Sequence, residues 1–464
     1  MKFTDRYAKL FQYLLPTPFT IALLLTVVTF VVALFFTQSE SQKLGDHALD
    51  ILGYWEEGLW QKGLMVFAMQ MMLILVLGHV LALSSPVDRL INAVVKYANS
   101  TAKAAYLVTL FTIAVALFNW GLGLIFGAIF ARKVAEQAQR KKLNLNYPLI
   151  GAAGYSGLMV WHGGISGSSL AKVAEKEHLS EMMKGIISPV EIGQLPEQIP
   201  FSETVFSGMN IYSSLLVLLI LPLFMFALGK KAKPTSLPRL VPENQEEKEQ
   251  KSLLGAEKLD HSKLFAYSIG LVIIFYALYK ALMQKNSGNF GFITPDYINF
   301  LLLGLGILLH GNFHRFLKAV NEAIGGAAGI LIQFPLYFGI MGMMKSSDLV
   351  QEFSAFFVSI SNEHTFPIFT MISAGIVNVF VPSGGGQWAV QGPIIVQATQ
   401  SLGIDLPKSI MALAYGDQLT NMLQPFWALP LLGITKLNAK DILPYTLLLM
   451  LVGGLIYLSA LLIF

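Results

Sequence analysis

The chain has 464 residues, 54% of them hydrophobic and only 13% charged. An average soluble domain carries roughly 25% charged residues. Here the charges gather in short segments between long apolar runs, so the chain reads as an all-α polytopic membrane protein. A net charge of +4 leaves no footprint for nucleic acid, and the absence of cysteine excludes disulfides, thiol catalysis and cysteine-ligated metals.

Met1–Pro16 is polar and mildly basic and precedes the first apolar run, Phe19–Phe36. At about 18 residues that run can just cross a bilayer. No small-residue cleavage site follows, so it is read as a retained span with the N-terminus in the cytoplasm. The net acidic segment Thr37–Gln61 is assigned outside, and Gly63–Leu83 returns. Arg89, Lys96 and Lys103 put the loop 84–103 inside, because Lys and Arg favour the cytoplasmic side.

Ala104–Arg132 is apolar but interrupted at Phe118-Asn119-Trp120-Gly121-Leu122-Gly123, with basic residues at both ends. Arms of about 14 residues reach only about 21 Å, short of a hydrocarbon core of about 30 Å. Segment 104–132 is therefore expected to be a re-entrant hairpin entering from the cytoplasm, its tip at Asn119-Trp120-Gly121. The span that starts at Tyr147 loses helical character at Trp161-His162-Gly163-Gly164-Ile165-Ser166-Gly167-Ser168-Ser169, giving a broken span over 147–169. The polar stretch Lys172–Pro200 is assigned outside. Ser202 is expected to cap the next span, with Glu203 at the positive end of its dipole, and that span runs to about Leu228.

Residues 230–263 form a hydrophilic stretch containing Pro234, Pro238, Pro242 and the charged run Glu243–Lys251. It reads as a cytoplasmic linker between two halves, 1–229 and 264–464. The second half holds the apolar runs Leu264–Leu282, Tyr297–Leu309, Ala327–Met344 and Phe366–Phe380. Then comes Val381-Pro382-Ser383-Gly384-Gly385-Gly386-Gln387, followed by Gln391-Gly392-Pro393 and Ile394–Ala398. Glycine costs about 1 kcal/mol and proline about 3 inside a helix, so 366–400 is expected to be a second hairpin, entering from outside. A broken span over 408–434 is expected to break at Tyr415–Pro425, and Ile442–Phe464 is the last span. The total is about ten spans plus two hairpins.

Each half thus holds a hairpin with a Gly-rich polar tip, a broken span and a full span. Ala152-Ala153-Gly154-Tyr155-Ser156-Gly157 in one half matches Ala412-Leu413-Ala414-Tyr415-Gly416-Asp417 in the other. Order and opposite orientation together give the pattern of an inverted repeat, with a solute site expected at the repeat interface.

Phe118–Gly123, Tyr155–Ser169, Phe201–Asn210, Val381–Pro393 and Tyr415–Pro425 resemble the short-chain fatty acid transporter family (AtoE type) of the ion transporter superfamily. The resemblance implies a bacterial inner-membrane carrier of short monocarboxylates such as acetoacetate or butyrate. It also implies a homodimer, with a scaffold domain and a moving transport domain that holds both hairpins and works by an elevator motion. Sodium-coupled dicarboxylate relatives carry Ser-Asn-Thr at each tip; here Asn119-Trp120-Gly121 and Ser383-Gly384-Gly385-Gly386 stand in those places.

A small carboxylate needs N–H or O–H donors, helix N-termini or a cation, and no Arg or Lys lies in the broken segments. Neutral donors are therefore the candidates for substrate binding: Asn119, Gly121, Ser166, Ser168, Ser383 with Gly384, Gly385 and Gly386, Gln387, Thr420 and Asn421. Trp120, Trp161, Trp388 and Trp427 are candidates to line an acyl pocket. Two ionisable residues sit in breaks, His162 and Asp417, and a charge at mid-membrane costs about 2.5–3.5 kcal/mol even on insertion scales. His162 joins the substrate set. Asp417, with Asn421, Ser383 and Asn119, is the candidate for a coupling cation, either H⁺ or Na⁺. One co-moving cation cancels the cost of bringing an anion into a negative cell, about 2.3 kcal/mol per 100 mV. The alternative substrate is a dicarboxylate or another organic anion on the same fold. HExxH is absent and no soluble catalytic domain stands out, so the chain is read as a carrier and not an enzyme.

Overall fold

The computed structural model describes residues 16–39, 42–184, 186–238, 240, 255–283 and 294–464. The polar N-terminal stretch, the charged run of the linker and most of the loop before Pro295 therefore lie outside the described residues. Among those described, the structure is helical and no strand forms. Seven segments are long and apolar enough to cross a membrane: Pro18–Phe36, Lys62–Leu83, Thr101–Phe118, Gly208–Lys231, Lys263–Met283, Phe313–Ser346 and Ala439–Ile463. Lys263–Met283 leaves Leu264, Leu271, Val272, Phe275 and Leu282 exposed, an apolar face that suits lipid.

Several expected boundaries move. The first helical pair has arms Thr101–Phe118 and Trp120–Arg140, 18 and 21 residues long. At 1.5 Å per residue these reach about 27 and about 31 Å, so the short-arm argument for a re-entrant hairpin does not hold. The second arm does not stop at the charge of Arg132, because that side chain is buried and paired inside the protein. Ser202 caps nothing: residues 201–206 are turns, and the next helix, Gly208–Lys231, is capped by Ser207, whose side chain accepts from the Asn210 N–H. The acidic segment before Lys62 contains a helix, Leu44–Leu59, which packs on Ala328–Ser346.

The three glycines do not interrupt a helix; they begin one. Gly384–Leu402 starts at the first of them, with Ser383 as N-cap, and the irregular stretch is only 381–383. A first turn has no intrahelical acceptors to lose, so the glycine penalty weighs least there. In the same way Leu406–Thr420 stays helical through Tyr415 and Asp417, and the break falls at Asn421–Trp427. The first broken helix ends earlier than expected: Tyr147–Tyr155 gives way to a 3₁₀ turn, Ser156–Met159.

Close backbone approaches fasten hairpins to broken helices. A Cβ on Gly127 would lie 2.1 Å from Gly154 O, and one on Gly416 would lie 2.1 Å from Met371 O. Only glycine permits both crossings, the device by which membrane helices without a hydrophobic driving force pack tightly.

Candidate functional site

Both hairpin tips reach the first break. The Trp120 N–H donates to Ser166 Oγ (3.0 Å) and the Ile165 N–H to Leu117 O (3.0 Å). Asn119 Oδ1 caps the second arm by accepting the Leu122 N–H at 2.9 Å. From the other half, a Cβ on Gly384 would lie 2.7 Å from Trp161 Cη2 and 2.8 Å from His162 Cε1, while Gly385 faces Ser168. The second hairpin is also tied to the second break. Asn378 Nδ2 donates to Asp417 O (2.8 Å), Thr420 Oγ1 (2.9 Å) and Asn421 Oδ1 (2.9 Å), and Gln424 Nε2 donates to Asn378 O (3.1 Å).

The two broken segments join at His162 and Asp417, both 0% exposed, with His162 Nδ1 3.3 Å from Asp417 Oδ2. The backbone N–H groups of His162 and Gly163 donate to Gln418 Oε1 at 3.1 and 3.0 Å. His162 Nε2 accepts the Ser169 N–H at 3.1 Å, with Ser169 Oγ at 2.8 Å. The two sequence-matched tyrosines each bond into the opposite half: the Tyr155 hydroxyl donates to Asn421 O (3.0 Å), the Tyr415 hydroxyl to Asn210 Oδ1 (3.2 Å).

A cavity of about 420 Å³ lies between the tips, lined by Asn119, Trp120, Gly121, Ser166, Ser168 and Gly385, with Lys172 beside them. Beyond the second tip a cavity of about 430 Å³ is lined by Gly386 and Gln387 together with Glu57 and Lys345. The second tip is thus a wall between two cavities. The candidates divide accordingly. Asn119, Gly121, Ser166, Ser168 and Gly385 share one space. His162, Asp417 and Asn421 are buried, Gly384 is wedged against His162, and Ser383 and Thr420 are half-buried.

Lys172 is the cation that counting only the broken segments left out; it lies one turn past Ser168 and pairs with Glu175 at 3.0 Å. Asn378 is hidden in the sequence by the apolar run around it, yet an amide in such a run is itself the signal of a tertiary hydrogen bond. Trp120, Trp161 and Trp427 cluster, with ring centroids 4.9–6.4 Å apart. Trp388 stands apart from them and donates from Nε1 to His178 Nε2 at 3.0 Å.

That bond gives a pH expectation. His178 lies in a short helix of the polar connection; burial lowers its pKa, Lys172 adds to the lowering, and Glu175 and Glu181 oppose it. A histidine pKa lowered by folding favours the folded state fully above the usual value of about 6.5, and that contribution shrinks as pH falls through it. Protonated Nε2 cannot accept from Trp388. Acidification should therefore loosen the second hairpin. In a Val390→Cys variant, maleimide labelling should rise on acidification relative to an exposed control cysteine, and His178→Gln should remove the rise.

The four residues expected to hold a coupling cation do not fit Na⁺ as a set. Asn119 Oδ1 and Ser383 Oγ are committed to helix caps, and Asn421 Oδ1 accepts from both Asn378 and Gln424. Of the four, only Asp417 keeps buried side-chain oxygens without a hydrogen-bond donor.

Comparison with known proteins agrees with this picture of a transporter. The family described as "Short chain fatty acid transporter" matches residues 1–464. An Escherichia coli K12 protein named for short-chain fatty acid transport is 37% identical over 455 residues, 97% of this chain and 96% of its own. A Haemophilus influenzae protein of the same description is 36% identical over 436 residues, 93% and 92% of the two chains. Two solved transporters are similar over nearly the whole chain at 13% identity: Neisseria gonorrhoeae MtrF, TM-score 0.44 with 98% and 97% covered, and Alcanivorax borkumensis YdaH, TM-score 0.40 with 97% of each covered. By its whole-length family match and its relatives above one-third identity, the chain belongs to the short-chain fatty acid transporter family.

Proposed function

We propose that the protein is a secondary active carrier that brings short-chain monocarboxylates such as acetoacetate and butyrate across the bacterial cytoplasmic membrane together with a cation. The cavity shared by the two hairpin tips carries this reading. Its volume falls in the range of small-molecule sites, about 300–1,000 Å³. Two helices begin at it, Trp120–Arg140 and Gly384–Leu402, and helix N-termini favour anions. Lys172 reaches the cavity as an N–H donor whose charge is shared with Glu175, and Trp120 offers an apolar surface for a short acyl chain. The matched tyrosines and the paired tips support an inverted repeat whose interface is the site. In that reading both tips belong to the moving body of an elevator, in a homodimer. The test is counterflow of radiolabelled acetoacetate in proteoliposomes. Exchange that saturates and is competed by butyrate supports the carrier; competition by dicarboxylates alone would assign a different substrate, and non-saturable flux would indicate a channel.

A further inference from the structure

The way His162 is held fixes its tautomer. The Ser169 backbone N–H can only donate, so Nε2 is the acceptor and the single proton of the neutral ring sits on Nδ1. Nδ1–H then faces Asp417 Oδ2 across 3.3 Å. Neither oxygen of Asp417 accepts a hydrogen bond, and His162 Nδ1 makes none, so the two groups stand 3.3 Å apart with the carboxylate unsatisfied. A second proton on the ring would break the Ser169 bond, so the place for an added proton is the Asp417 carboxylate.

Little else offsets a charge here. Among the described residues no third His, Asp or Glu joins this pair. On the helices around it the charged residues stand at helix ends: Lys408 on Leu406–Thr420, Lys440 and Asp441 on Ala439–Ile463, and Lys230 and Lys231 on Gly208–Lys231. Phe366–Phe380 and Gly384–Leu402 carry none. The ionisable groups nearby are phenols with partners, Tyr155, Tyr415 and Tyr457, and Lys172, which is paired with Glu175. The pair is therefore neutral with one extra proton and carries a lone buried negative charge without it. The second hairpin covers it, because Gly384 lies against the edge of the imidazole.

We propose that His162 and Asp417 form a one-proton site, sealed by the second hairpin at Gly384, that carries the coupling proton. This rests on the carrier reading and names its cation. A proton from the aqueous phase adds to a carboxylate oxygen of Asp417 when the hairpin lifts. The same proton leaves to the cytoplasm in the opposite state, while Nδ1–H and the Ser169 bond persist. Moving one H⁺ with one carboxylate is electrically neutral, which removes the membrane-potential cost of the anion.

Two measurements test it on the full reconstituted chain. Infrared difference spectra between acidic and alkaline buffer, without substrate, should contain a protonated-carboxyl band that Asp417→Asn removes and His162→Gln shifts. A pH gradient of about one unit should drive about tenfold acetoacetate accumulation in the native chain, independent of Na⁺. That ratio should fall to about one in Asp417→Asn. A band that survives Asp417→Asn, or accumulation driven by Na⁺ in place of pH, overturns the proton site. A titrating band in a protein without acetoacetate counterflow would instead overturn the carrier reading and leave the site standing.

Discussion

Gly384→Val should cut acetoacetate counterflow by one to two orders of magnitude while leaving the protein expressed and folded. The reason is local. A Cβ at this position would stand 2.7 Å from Trp161 Cη2 and 2.8 Å from His162 Cε1. Neither neighbour can step aside: Trp161 is 3% exposed and stacks on His162, which is held by Ser169 and faces Asp417. Overpacking a tight interior costs about 1–3 kcal/mol, and every 1.4 kcal/mol is about tenfold in a population. The tip can relieve the clash by lifting, so the cost falls on the closed state of the hairpin and not on folding. Gly385 is the informative contrast, because there the added Cβ meets only Ser168 Cβ at 3.8 Å, an ordinary contact. Gly385→Val should lose less than Gly384→Val. Counterflow at the native rate in Gly384→Val would mean that the tip does not need to seat on His162 during transport.

The contrast between these two glycines also marks how far the sequence could be read. Polar, Gly-rich interruptions in apolar runs pointed to the regions where regular helix stops, with bounds that the structure moves: helices meet at Asn119 and at 381–383, and irregular backbone follows Tyr155 and Thr420. What escaped was which atoms are satisfied by tertiary partners. Asp417 was expected in irregular backbone, yet it is helical: Asn378, from the neighbouring hairpin arm, ties the helix end by bonding Asp417 O, Thr420 and Asn421. The glycine run was read as a breaker because composition does not reveal that Ser383 would cap a helix starting there. Leu44–Leu59 was missed because acidic residues in a polar segment look like a loop until Ala328–Ser346 supplies the surface it packs on. For Asp417 and for Leu44–Leu59 the deciding partner is remote in sequence; for the glycine run it is the neighbouring Ser383.

Arg132→Ala should be the most destabilising single change on the first hairpin, by about 3–5 kcal/mol, the usual cost of removing one partner from a buried ionic contact. Charge at this position looked like a helix end at the membrane surface, but Arg132, Lys133 and Glu136 are all buried. Arg132 Nε donates to Glu136 Oε1 at 2.9 Å, and Nη1 donates to His79 Nε2 at 3.1 Å and Ile434 O at 3.2 Å. Nη2 lies 3.5 Å from Glu322 Oε1. One guanidinium therefore joins four separate helices: its own, Lys62–Leu83, Phe313–Ala323 and Ala428–Thr435. Removing it leaves His79 Nε2 and Ile434 O without that donor in buried surroundings. Glu136 keeps Lys133 at 3.1 Å, which holds the loss toward the lower end of that range. Arg132→Lys should rescue little, since an ammonium is a point charge and cannot present the planar fork that reaches several acceptors at once. Thermal unfolding followed in detergent should show a clear fall in midpoint for Arg132→Ala, with Arg132→Lys close to it. A lysine variant as stable as the native chain would mean that charge alone, and not the geometry of the guanidinium, holds these helices together.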